Sequence, residues 1–133
     1  MTYLLDTNAI SDLMRASAQL ERWLAEMGPG NNLVTCPAVR GEVLHGIARL
    51  PAGRRRSDLE DAARVAFVRI PCVPTSCLAA DIYASVKLAR QLSGRAMDEN
   101  DLWIAATALA LGATLVSRDA DFVGIDGLAV MAL

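Results

Sequence analysis

The sequence predicts an α/β fold, a three-layer α/β/α sandwich built on a central, mostly parallel sheet. Short apolar runs of strand length alternate along the chain with longer segments of helical periodicity, the order that right-handed βαβ crossovers generate. The first run, residues 2–5 ahead of Asp6 in "YLLDTN", is apolar without alternation, which suits a strand covered on both faces. A length of 133 residues with 53% apolar content suffices for one substantial core, so the chain reads as a single domain over residues 1–133. No internal repeat or low-complexity tract interrupts it.

After the first strand, "NAISDLMR" begins a helix with Asn8 placed as its cap. "LERWLAEM" is helical and stops at Gly28, Pro29 and Gly30, and "NLVTC" follows as a second strand. From Pro37 a helix carries Val39, Val43, Ile47 and Leu50 on one face until Pro51 ends it. "PAGRRRS" reads as a loop, and Ser57 with Glu60 resembles a capping box for a helix whose inner face is Leu59, Ala63, Ala66 and Phe67. "FVRIPCV" would supply a third strand. Leu78, Ile82, Val86, Ala89 and Leu92 then repeat at helical spacing up to Gly94. "DLWIAATALAL" is a helix apolar nearly all round and stopped by Gly112, so it must be covered on most sides. "ATLVS" and "LAVMA" complete the sheet, the second after an Asp126-Gly127 turn.

Composition removes several classes of function. No run approaches the roughly 18 apolar residues of a membrane span. Residues 1–15 carry two aspartates where a secretory signal would be basic, so a cytoplasmic protein is expected. Cys36, Cys72 and Cys77 form no CxxC pair, and the single histidine, His45, cannot complete a zinc site with them. Reduced, buried thiols are the expectation. A lone Glu42-x-x-His45 unit is half of what a carboxylate di-iron site requires, which leaves His45 as a rim or packing residue, and Trp23 and Trp103 read as core or interface. The net charge of −2 gives no general attraction to nucleic acid, so a polyanionic partner would need a local basic patch.

Chemistry is expected where open α/β sheets bind ligands, beyond the carboxyl ends of the strands. Asp6 directly follows the first strand and Asp119 follows "TLVSR" in the same relation to a later one. Asp101 lies in the first turn of its helix on the face with Ala105 and Ala108, whose small side chains let that face approach the sheet, and Glu42 lies at the margin of the Val39/Val43/Ile47 stripe. Two ionised carboxylates about 4 Å apart repel by about 4 kcal/mol at an effective dielectric of about 20. A cluster of all four therefore calls for protons or for a divalent cation, and oxygen ligands without His or Cys suit Mg²⁺ or Mn²⁺.

The motifs "LLDTN", "RGEVLHGI", "DLWIAATAL" and "TLVSRDADF" resemble, in order and spacing, those of PIN-domain ribonucleases, specifically VapC-type toxins of toxin–antitoxin pairs. Carried over residue by residue, the resemblance implies an acidic, metal-holding quartet of Asp6, Glu42, Asp101 and Asp119. Asn8, which would orient Asp6, and Ser117 are implied in support, with Thr7 as a lesser neighbour. Asp98 and Asp121 crowd Asp101 and Asp119 as secondary candidates, and Asp98 also suits the helix cap. The implied reaction is hydrolysis of RNA phosphodiesters with one or two Mg²⁺ or Mn²⁺ ions, any of the four acids being available as a general base. A homodimer and a small VapB-type antitoxin are implied partners, with no membrane and no nucleotide cofactor. Arg15, Arg40, Arg49, Arg54, Arg55 and Arg56 are candidates for contact with RNA or antitoxin. The rivals are a PIN fold that binds RNA or protein without cutting, and a phosphotransferase using Asp6 as nucleophile. The second rival wants another Asp where the chain has Asn8.

Overall fold

The computed structural model describes residues 1–133. The elements are β1 (Thr2–Leu5), α1 (Thr7–Met14), α2 (Ala18–Glu26), β2 (Asn32–Val34), α3 (Pro37–Ala48), α4 (Arg54–Arg69), α5 (Cys77–Leu92), α6 (Glu99–Leu111), β3 (Thr114–Val116), a 3-10 turn (Ala120–Phe122) and β4 (Val130–Met131). The four strands lie in the order β2-β1-β3-β4 and every pairing is parallel. Helical connections between parallel strands leave little choice, because a parallel return needs a crossover rather than a hairpin.

Leu4 and Leu5 in β1 point to opposite faces of the sheet, and both are 0% exposed. The same holds in β3, where successive Leu115 and Val116 are both buried. Both faces of the sheet are therefore covered. A core of 22 residues joins these strands to Ile10 and Leu13 of α1, to Val39, Val43 and Ile47 of α3, and to Ile104, Ala105 and Ala108 of α6. Helix α6 is buried nearly all round, with Leu102, Ile104, Ala105, Ala106, Thr107 and Ala108 inaccessible, and it ends on Gly112 in the left-handed conformation at φ 62°. No helix is long and apolar enough to cross a membrane.

Four local expectations are corrected. The cap of α1 is Asp6 rather than Asn8, which is exposed within the first turn. Helix α4 begins at Arg54 with Gly53 as its cap, so the arginine run is its first turn and not a loop. Arginine forms helix readily, and Glu60 pairs with Arg56 at 2.9 Å instead of closing a box with Ser57. "FVRIPCV" is not a strand, because Phe67 and Ile70 extend the helical stripe of Ala63 and Ala66, and only an isolated bridge between Thr35 and Cys72 remains of it. Helix α5 turns Ala79, Ile82, Tyr83, Val86 and Arg90 inward and leaves Leu78 and Leu92 exposed, since its neighbour is α6 and small Ala79 permits the close approach. The cysteines are all free, with Cys36 buried, Cys72 half-buried and Cys77 exposed.

Candidate active site

Pairing of Leu5 with Val116 brings the carboxyl ends of β1 and β3 together, so Asp6 emerges beside Ser117. Asp6 is 4% exposed and its Oδ1 accepts the Ala9 N–H at 2.9 Å, which caps α1 and fixes the carboxylate. Ser117 is also buried, and its hydroxyl oxygen accepts the Asp119 N–H at 3.0 Å. Burial pushes the Asp6 carboxyl above its ordinary range. The Ser117 hydroxyl and the Ala9 N–H pull it back, the Asp119 charge raises it and the Arg118 guanidinium lowers it.

Asp119 terminates the β3 segment and accepts the Asp121 N–H at 2.9 Å, opening the 3-10 turn that follows. Asp101 sits in the first turn of α6, whose cap is Asp98 through the Asn100 N–H at 3.2 Å. Glu42 comes from α3 and accepts the Thr7 hydroxyl at 2.8 Å. A single recess is lined by Asp6, Thr7, Glu42, Asp98, Asp101 and Asp119, together with Asn8 and Asn100. One oxygen each from Glu42, Asp98 and Asp101 lies within 4.8 Å of the others, and so does one each from Asp101, Asp119 and Asp121. Asp101 belongs to both groups; Asp6 lines the recess but belongs to neither.

That position gives Asp101 its unusual proton affinity. Burial first, then the charges of Glu42, Asp119, Asp98 and Asp121, push its carboxyl up to about 6. Groups of carboxylate oxygens at this separation, with no histidine or thiol among them, fit a hard divalent cation. Thr7 is more than a lesser neighbour, since it holds Glu42, whereas Asn8 makes no hydrogen bond to Asp6. Asp6 is tied to the α1 cap, and the position two residues on, where an aspartyl-phosphate pattern wants a second Asp, is Asn8.

The arginines divide into sets. Arg15, Arg54 and Arg55 line a groove between α1, α3 and α4 that reaches the recess at Thr7 and Glu42. Arg40 instead stacks over the Phe67 ring at 4.9 Å, Arg56 is held by Glu60, and Arg49 is exposed at the end of α3. Arg118, which the motif reading passed over although it stands between Ser117 and Asp119, pairs with Asp12 at 2.9 Å. His45 is exposed on α3; Trp23 packs edge-on against Tyr3, and Trp103 stacks on Tyr83.

A parallel α/β fold with an acidic recess at the carboxyl edge of its central strands belongs to the class of open-sheet proteins that take their ligands at that edge. The chain belongs to the PIN domain family, whose pattern matches residues 3–128. It is 31% identical to a VapC ribonuclease, Y4jK, of Sinorhizobium fredii over 86% of this chain and 85% of that protein. It is 30% identical to ribonuclease VapC5 of Mycobacterium tuberculosis over 84% of this chain and 78% of that one. Among solved structures, VapBC-1 from nontypeable Haemophilus influenzae matches with a TM-score of 0.88 at 25% identity, covering 99% of this chain and 98% of the other.

Proposed function

We propose that this chain is a divalent-metal-dependent ribonuclease that hydrolyses RNA phosphodiester bonds and acts as the toxin of a toxin–antitoxin pair. The observation that carries the reading is the convergence of Asp6, Glu42, Asp101 and Asp119, from separate elements, on one recess where Asp101 is pushed up to about 6. Names of relatives support it, two being ribonucleases of the VapC type.

Glu42, Asp101 and Asp119 would hold the cation with Asp6, and Asp98 and Asp121 stand close enough to assist. Bound Mg²⁺ or Mn²⁺ supplies Lewis-acid polarisation of the phosphate, a lowered pKa for attacking water, and charge neutralisation among the acids. The chain's own residues do the positioning. Thr7 fixes Glu42, the Ala9 N–H fixes Asp6, and the Asp121 N–H fixes Asp119, so the acids face the recess without needing to reorganise. Burial and the neighbouring carboxylates push the Asp101 carboxyl up to about 6.

The partners follow the same reading. A VapB-type antitoxin is proposed from the likeness to a VapBC assembly. A homodimer is proposed as cover for Leu78, Leu88 and Leu92, which α5 leaves exposed. On this reading residues 1–133 act as one nuclease domain in the cytoplasm, where the RNA substrate lies. Purified, antitoxin-free protein incubated with total bacterial RNA and Mg²⁺ or Mn²⁺ should give discrete cuts that disappear with EDTA and with Asp101→Asn. Failure to cut with every divalent ion, while RNA is still bound, would replace this reading with that of a silent binding module.

A further inference from the structure

We propose that Arg118 and Arg15, held side by side by Asp12, form a phosphate-binding subsite that takes the backbone of the RNA strand next to the acidic recess. This rests on the ribonuclease reading above and adds the place where the substrate is gripped. An acidic recess in a chain of net charge −2 repels a polyanion, so the strand needs cations immediately beside the reacting phosphate.

Asp12 is half-buried in α1 and commits both its oxygens to arginine, Oδ1 to Arg15 at 2.6 Å and Oδ2 to Arg118 at 2.9 Å. One carboxylate thus orients two guanidinium groups and cancels only one of their charges. Each guanidinium carries five N–H donors, and the side chains of Arg118 and Arg15 remain 52% and 68% exposed. The Arg15 side chain makes no hydrogen bond other than that to Asp12, and Arg118 meets Asp12 as an ion pair without a further side-chain hydrogen bond. The fold has little use for them, because exposed ion pairs contribute little to stability.

Position links the pair to the chemistry. Arg118 lies between Ser117, which underlies Asp6, and Asp119. A small hollow lined by Asp6, Asp12, Ser17, Ser117 and Arg118 adjoins the acidic recess, and Asp6 forms a wall of both. On its other side Arg15 lines the groove shared with Arg54 and Arg55. The forked guanidinium of arginine suits two oxygens of one phosphate, whereas lysine would offer only a point charge.

The test is binding of a short, labelled single-stranded RNA by fluorescence anisotropy in Mg²⁺, in an Asp101→Asn background that cannot cut, at several salt concentrations. Cleavage rates are read in the otherwise wild-type chain. Arg118→Ala should weaken binding several-fold and reduce the slope of log affinity against log salt by about 0.7, the value for one phosphate contact on a single strand. Arg15→Ala should act in the same direction. Arg118→Lys should keep the salt slope yet lose part of the affinity, and Arg64→Ala, an exposed arginine of α4 paired with Asp61, should match the parent. In the cleaving chain, Arg118→Ala should raise the RNA concentration needed for half-maximal cleavage several-fold, as a loss of substrate binding predicts. Unchanged affinity and slope in Arg118→Ala would overturn the subsite while leaving the ribonuclease reading intact. RNA binding that shows these losses in a chain that never cuts would support the subsite and overturn the ribonuclease reading.

Discussion

Thr7 and Glu42 stand 35 residues apart in the chain and meet through a 2.8 Å hydrogen bond from the Thr7 hydroxyl to Glu42 Oε2. The contact ties the first turn of α1 to the middle of α3 and aims a half-buried carboxylate into the acidic recess. Thr7→Val keeps the shape and removes the donor. The expected result is a roughly tenfold loss of metal-dependent cleavage, the equivalent of one hydrogen bond worth about 1.4 kcal/mol, with a small change in melting temperature. Thr7→Ser should restore the rate; if both variants cleave as the parent does, Thr7 is not a positioning residue.

Asp6 has two jobs that substitution can separate. Its carboxylate caps α1, and the same buried group faces the recess. Asparagine caps a helix as well as aspartate does, so Asp6→Asn should abolish cleavage yet leave thermal stability unchanged or higher at pH 7, where a desolvated negative charge has been removed. Asp6→Ala should abolish cleavage and also cost about 1 kcal/mol through the lost cap. Thermal melts of the two variants side by side distinguish the roles, and equal stability would show that the cap bond contributes nothing.

Asp101 makes the metal-free protein sensitive to pH. Its folded-state carboxyl is pushed up to about 6 from the ordinary 3.8, so around pH 5 the folded protein holds a proton that the unfolded chain has released. The stability this contributes is fully present below pH 3.8 and is lost as the pH rises through about 6. In EDTA, Asp101→Asn should therefore melt above the wild type at pH 7 and alongside it at pH 4. Asp101 is partly exposed, so after allowance for solvent screening the difference at pH 7 should be about 1 kcal/mol. Adding Mg²⁺ should raise the wild-type melting temperature at pH 7 and leave Asp101→Asn nearly unmoved, because binding to the folded state alone is stabilising. A wild-type melt indifferent to both pH and Mg²⁺ would contradict the account.

These residues also show what a sequence makes legible. Strands β1 and β3 declare themselves by unbroken apolar runs, and α6 by being apolar all round, so the rule of the carboxyl edge locates Asp6 and Asp119 from pattern alone. The misread elements are those whose pattern fits two periods or two faces. Phe67 to Ile70 could continue a helix or begin a strand, and the helix prevails because Phe67 and Ile70 fall in register with Ala63 and Ala66. On α5 the leucines mark the apparent core face, yet the structure buries Ala79 and Arg90, since small side chains and the carbonyl partners of Arg95 and the distant Asp121 decide the rotation. The bond that raises Thr7 above a lesser neighbour, and Arg118 altogether, escape for a related reason. Their partners, Glu42 and Asp12, are distant in sequence, and no local spacing encodes either pair.

Arg90 leads to the last prediction. It is 8% exposed and has no carboxylate partner; instead its Nε–H donates to the Arg95 carbonyl at 2.9 Å and its Nη2 to the Asp121 carbonyl at 3.1 Å. The second bond anchors the turn that carries Asp119 and Asp121 to α5. Truncation to alanine would strand buried carbonyls and open a cavity beside Val86, at a cost of about 2–3 kcal/mol. Arg90→Ala should accordingly lower the melting temperature and reduce the turnover rate, because the turn that sets Asp119 loosens. Arg90→Lys, which keeps a donor but not the fork, should recover stability more fully than rate. If the two variants lose rate only in proportion to the folded fraction measured under the assay conditions, Arg90 supports the fold alone and does not position the turn.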